Sequence, residues 1–314
     1  MYSEEIIEAV SWVVKSGNLS SLHGKEVEKF ESDFKNYIGS EYAVAVNSGT
    51  AALHTALLAL GVGPGDEVIC PAWTFVATAS AVLMCGAKPV FADLEPGTFN
   101  IDPHDILYRI TMKTRGIIAV HIGGIPCHMD IIKIIAIKND LWVIEDSCQS
   151  LGSSYDGKKV GSIGDVGVFS FYPSKMVTTG EGGMIVTNNE SVYKQSQLIR
   201  NHGQVGKNIV ATLGFNYRMT EIQAAIGQVT LSHIDEEIKR RNINTFISCL
   251  KSGSYTIPTA PRKAQVAYSY LPVWFLENAY TNWYTPLYRF PMFEGKPLQY
   301  TEEAYRNGYV IPLI

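Results

Sequence analysis

Between about residues 40 and 190, short unbroken apolar runs alternate with segments of helical spacing. YAVAV (42–46), EVICP, PVFADL, GIIAVHI and LWVIED have strand length and composition. AALHTALLAL (51–60), TASAVLMCGA and MDIIKIIAIKND have helical length. VGVFSF and GGMIVT are two further strands, close together in sequence. Strands without polar alternation are buried on both faces, and helices between them supply the cover. The pattern predicts an α/β fold with a mostly parallel central sheet flanked by helices.

The texture changes after about residue 191. TEIQAAIGQVTLSHIDEEIKRRNINTFISCL reads as one long helix, with Ile222, Ala225, Ile226 and Val229 on one face. After Ser252 the chain is rich in Pro, Tyr and Trp and reads as a smaller α+β unit. These shifts divide the chain into a large domain, 1–235, and a small one, 236–314, with the N-terminal segment free to pack on the latter. A length of 314 residues suits two domains.

Composition narrows the function. The net charge of −4 argues against a nucleic-acid partner, because phosphate backbones need clustered Lys and Arg. Five cysteines lie scattered without a C-x-x-C pair, as expected of reduced thiols in the cytoplasm. The N-terminus carries Glu4 and Glu5 where a signal peptide would be basic, and no apolar run reaches the ~18 residues of a membrane span. His121 and His128 lack the spacing of a metal pair, and no carboxylate–histidine cluster suggests a metal.

Three stretches carry chemistry. Asn47-Ser48-Gly49-Thr50 is a small-residue turn opening a helix, which serves as an ordinary cap or as an anion site on the exposed N–H groups. Asp146 ends the strand LWVIED, where α/β proteins bind ligands; the same residue could cap the next segment. Lys175 follows the strand VGVFSF and precedes the turn Thr178-Thr179-Gly180-Glu181-Gly182-Gly183. Most lysines are solvated, but a loop tightened by Pro173 and glycines would partly desolvate this one. Desolvation makes an amine a usable nucleophile. A phosphate cradle, a strand-end carboxylate and a confined lysine together are what pyridoxal 5′-phosphate (PLP) requires.

The stretches NSGTAALHTALLALGVGPGDEVICPAWTFVATA, GAKPVFADLEPGTFNIDP, VIEDSCQSLGSSYDGKKVGSIGDVGVFSFYPSKMVTTGEGGMIVTN, RNHGQ and LGFNYRMTEIQAAIGQVTL resemble, in order, the DegT/DnrJ/EryC1/StrS family of PLP-dependent sugar aminotransferases. They span about residues 20 to 240. The resemblance implies the aspartate aminotransferase fold type I and a homodimer with a shared active site. It implies Lys175 as the Schiff-base lysine, with pyridoxamine 5′-phosphate as the amino-carrying form of the cofactor. It implies Asp146 at the pyridinium nitrogen, Gln149 near the ring hydroxyl, and Ser170, Gly49 and Thr50 at the phosphate. Phe75 would stack on the ring, or simply pack in the core. Asn216 would reach the neighbouring subunit's phosphate, with Arg218 as the alternative. His121 and His202 would line the substrate pocket or serve as structural histidines.

The activity so implied moves an amino group from glutamate or glutamine to a keto-sugar, nucleotide-linked, or to a keto-cyclitol. Dehydratases and deaminases of the same family carry histidine at the lysine position, so Lys175 argues for transamination. A non-catalytic PLP-binding regulator is the other alternative, and no basic patch or helix-turn-helix supports it. The chain departs from the family in its short, apolar end at Val310-Ile311-Pro312-Leu313-Ile314, and in a helix missing near Leu276-Glu277-Asn278-Ala279. An apolar end of this kind predicts that the small domain is incomplete and that the natural polypeptide continues.

Overall fold

The computed structural model describes residues 3–250, 255–275 and 284–313. The central sheet contains β1 (Tyr42–Val46), β2 (Glu67–Pro71), β3 (Lys88–Ala92), β4 (Thr114–Val120), β5 (Trp142–Asp146), β6 (Val166–Ser170) and β7 (Gly183–Thr187). Their order is β1-β7-β6-β5-β4-β2-β3. Pairing is parallel from β3 through β2, β4 and β5 to β6. β7 is antiparallel to both β6 and β1, so it alone runs against the rest. The expected mostly parallel sheet is therefore present, and the carboxyl ends of the other strands share one edge.

Both faces are covered, which explains the unbroken apolar runs. Val44, Val46, Val168 and Ile185 point into a core with α3 (Gly49–Ala59) and α4 (Ala77–Met84). Their neighbours Ala43, Ala45, Phe169 and Met184 point the other way, onto Phe30 and Phe34 of α2 (Glu26–Ile38). Beyond α5 (Pro103–Arg109), α6 (Met129–Lys138) and α7 (Glu190–Arg200), the single long helix expected after Thr220 is two, α8 (Glu221–Ser232) and α9 (Ile234–Leu250), broken at His233. His233 leaves helical geometry at φ −103, ψ 12, and its ring meets Glu5 at 2.9 Å. The apolar spacing runs on across the break and so conceals it. The N-terminal α1 (Ser3–Ser16) packs on α8.

A small antiparallel sheet joins β8 (Tyr255–Thr256), β9 (Tyr270–Phe275) and β10 (Gly308–Pro312), with β9 in the middle. Residues between β9 and β10 return to the large sheet: Leu287, Tyr288, Phe293 and Ala304 enter the same core as Val44 and Leu53. Leu287 N–H donates to Ala72 O at 2.8 Å. The helix expected to be missing near Leu276–Ala279 lies outside the described residues.

The sheet centre buries a carboxylate. Glu145 is 0% exposed and accepts from the N–H groups of Gly161 (2.9 Å), Ile163 (2.6 Å) and Gly164 (2.6 Å). It also meets His121 Nε2 at 3.0 Å. His121 Nδ1 accepts from Cys127 N–H, which leaves the imidazole proton on Nε2, facing Glu145. Four donors around one carboxylate offset its desolvation. Replacing Glu145 by Ala orphans all four; the expected loss is about 3–5 kcal/mol of unfolding free energy, read by urea denaturation.

Candidate active site

The site is built on the carboxyl edge of the sheet. β1 leads through Asn47 into Ser48, the extended N-cap of α3, whose Oγ accepts from Ala51 N–H at 3.1 Å. That leaves the N–H groups of Gly49 and Thr50 at the helix mouth, where the helix dipole adds positive potential. A Cβ on Gly49 would lie 2.8 Å from Ser170 Cβ and 3.2 Å from Cys148 Sγ. One on Gly183 would lie 2.4 Å from Ser48 O. Glycine at both places lets the mouth of α3 close onto the end of β6, so that Ser170 joins Gly49 and Thr50. The turn is thus a cap, and the N–H groups it leaves at the helix mouth lie beside Ser170.

Asp146 ends β5 and is 4% exposed. Its Oδ2 accepts from the Thr78 hydroxyl at 3.0 Å and its Oδ1 from Cys148 N–H at 3.2 Å. It therefore does not cap the following segment alone; a hydroxyl from α4 also orients it. Gln149 Oε1 accepts from Gly123 N–H (3.0 Å), and its Nε2 donates to Tyr284 Oη (3.2 Å). Trp73 Nε1 donates to the Tyr284 carbonyl at 2.8 Å, so Tyr284 is held at both ends. Burial pushes the Tyr284 phenol well up, which keeps it neutral. Phe75 is 56% exposed, so it faces open space and is not a core residue.

Lys175 sits in the loop between β6 and β7, half-buried. Its N–H donates to Tyr172 O at 2.9 Å, and Thr179 N–H donates to Phe171 O at 3.0 Å, folding the loop on itself. Ser174 Oγ meets Tyr270 Oη at 2.5 Å, and Lys175 Nζ lies 5.4 Å from the centroid of the Tyr270 ring. Burial and the Asp146 carboxylate push the nearby Cys148 thiol well up, while Lys175 opposes them. The thiol stays protonated and does not rival the lysine as a nucleophile.

One cavity of about 770 Å³ brings together Gly49, Thr50, Phe75, Asp146, Gln149, Ser170 and Lys175. Asn216 is not among its walls. Its side chain is exposed, and its carbonyl accepts from Asn47 Nδ2 at 3.3 Å. Arg218 Nη1 donates to Asn201 Oδ1 at 2.8 Å. His121 is the structural partner of Glu145, and His202 is exposed. Thr78, Tyr270 and Tyr284 also line the cavity and were not expected from sequence. No local signal marks Thr78, whose partner Asp146 lies 68 residues away. No cluster of metal-binding side chains occurs among the described residues.

GDP-perosamine synthase of Caulobacter vibrioides is 46% identical over 220 residues, covering 69% of this chain. The chain spans only 59% of that protein's length. The dTDP-3-amino-3,6-dideoxy-alpha-D-galactopyranose transaminase of Aneurinibacillus thermoaerophilus is 41% identical over 241 residues, 76% of this chain and 66% of its own. Among solved structures, Spr1654 of Streptococcus pneumoniae in its PMP form superposes with a TM-score of 0.90 at 27% identity, covering 99% of this chain and 92% of that one. The family's own sequence profile matches residues 1–285, so the chain belongs to the DegT/DnrJ/EryC1/StrS aminotransferase family.

Proposed function

We propose that the protein is a PLP-dependent aminotransferase that transfers an amino group from glutamate or glutamine to the ketone of a nucleotide-linked sugar or a cyclitol. The observation that carries this reading is the convergence of Lys175, Asp146 and the α3 mouth with Ser170 on one cavity. The sugar class is supported by the names of the two relatives above, one acting on a GDP-linked and one on a dTDP-linked sugar.

The residues fit the cofactor. The cavity beside the N–H groups of Gly49 and Thr50 at the α3 mouth, with Ser170 next to them, suits a phosphate held by these three residues. Asp146 would face the ring nitrogen, Gln149 the ring hydroxyl and Phe75 the ring face. Bound there, PLP supplies an electron sink for the pair left when the donor's Cα–H bond breaks. Thr78 and the Cys148 N–H both donate to Asp146 and fix the direction of its carboxyl group, which suits it to hold a proton on a ring nitrogen. Lys175 Nζ takes the proton from the donor's Cα and later returns one, as general base and then acid.

The same reading includes a homodimer in the cytoplasm. Beside Asn216, Val205, Ile209, Val210 and Leu213 are 58%, 61%, 62% and 74% exposed. An apolar patch of this kind suits a partner surface, and a second copy covering it would present its own Asn216 to this cavity. Among the described residues no helix is long and apolar enough to cross a membrane.

Lys175→Ala is expected to abolish turnover and the visible absorbance of bound PLP; full transamination by this variant would refute the assignment. Asp146→Asn should keep the fold by circular dichroism and lower kcat by roughly 100–1000-fold, as for loss of a preorganised electrostatic group. Parental turnover would reduce Asp146 to a cap. Asn216→Ala should bind PLP about 3–10-fold more weakly, the worth of one hydrogen bond, in a protein that light scattering finds dimeric. A fully active monomer would contradict the shared site.

A further inference from the structure

The loop that carries Lys175 has no regular secondary structure, and carbonyls exposed in such a loop need partners. One side chain meets three carbonyls at once. Arg241, on α9 and 7% exposed, donates from Nη1 to Ser174 O (3.0 Å) and Ser269 O (3.0 Å), and from Nη2 to Lys175 O (3.1 Å). Its Nε donates to Glu237 Oε1 at 2.5 Å. Burial would raise the Glu237 carboxyl, but hydrogen bonds from Arg240 and Arg241 prevail and hold it below the usual carboxylate range. The buried guanidinium is therefore charge-balanced. Ser269 adjoins Tyr270, whose phenol meets Ser174 Oγ. The lysine's backbone is thus gripped from both α9 and β9.

We propose that Arg241 is a positioning residue for Lys175. Its planar fork holds the Lys175 carbonyl against that of Ser269, and this sets where the lysine stem starts and how far its amine reaches. A lysine at 241 could keep the charge but not the fork, because an ammonium is a point donor on a flexible stem. The inference rests on Lys175 being the reactive amine, and the test separates the two.

Arg241→Lys and Arg241→Ala are compared with the parent. In the cofactor-free proteins, hydrogen exchange of amides in 172–180 is expected to rise at least tenfold, more for Ala than for Lys, while peptides from α3 and β5 stay at parental rates. With PLP added and fixed by borohydride, peptide mass should show less label on Lys175 in both variants. In turnover, kcat should fall at least tenfold with the donor KM within about twofold. Parental exchange in 172–180 in a folded variant overturns the proposal, as does exchange that rises equally throughout the protein. If Arg241→Ala does not fold, Arg241→Lys decides by the same measurements. Absence of label on Lys175 in the parent would refute the proposed function, while the exchange result would still decide whether Arg241 orders the loop.

Discussion

The site depends on two places where a glycine leaves no room for a side chain of its own. At Gly183 the reversed strand β7 runs so close to Ser48 that a methyl group would overlap its carbonyl. At Gly49 the first turn of α3 rests on Ser170 and Cys148. Because β7 must run antiparallel between β1 and β6, these contacts draw the end of β1 toward the end of β6 across it. Gly49 of the α3 mouth and Ser170, 121 residues apart in sequence, come to one place only through that closeness. The lysine loop then has nowhere to go but over the same edge, since it connects β6 to β7.

Around this frame, each chemical group is held by something remote from it. Asp146 takes its hydroxyl donor from α4, Gln149 is spanned between Gly123 and Tyr284, and Tyr284 is anchored by the indole of Trp73. Trp73 in turn stacks on Phe99 at 4.8 Å, and Phe99 on Trp274 of β9 at 4.3 Å. An aromatic column thus links the floor of the cavity to the small sheet. Hydrogen bonds to a charged partner contribute about 1.5–3 kcal/mol each, and here they also fix the direction in which each group meets the cavity.

The sheet strands were legible because residues on both faces are buried, so each strand is an unbroken apolar run. Asp146 stood out as a carboxylate ending such a run, and Lys175 as a cation just before a glycine-dense turn. The direction of β7 was not legible, since a short apolar strand reads the same either way. Nor was the break at His233, where neither Gly nor Pro interrupts the helical spacing. Thr78, Arg241 and Tyr284 were hidden for a different reason. Their partners at the site lie 68, 66 and 135 residues away, and local pattern carries no information at that range. Composition marks the chain after residue 191 as different in texture, but it does not reveal that Leu287 and Phe293 return to the first core.

The buried Glu145 constrains the order in which this chain can be assembled. β5 lies between β4 and β6, and its carboxylate is satisfied by amides 16 to 19 residues further along. Until residues 161–164 arrive, water can solvate the Glu145 side chain, and β5 is free to pair with β4. What cannot come first is the sealing of that face, because only the three loop amides replace the water that burial removes. On a growing polypeptide this part of the core closes only after residues 161–164 have emerged.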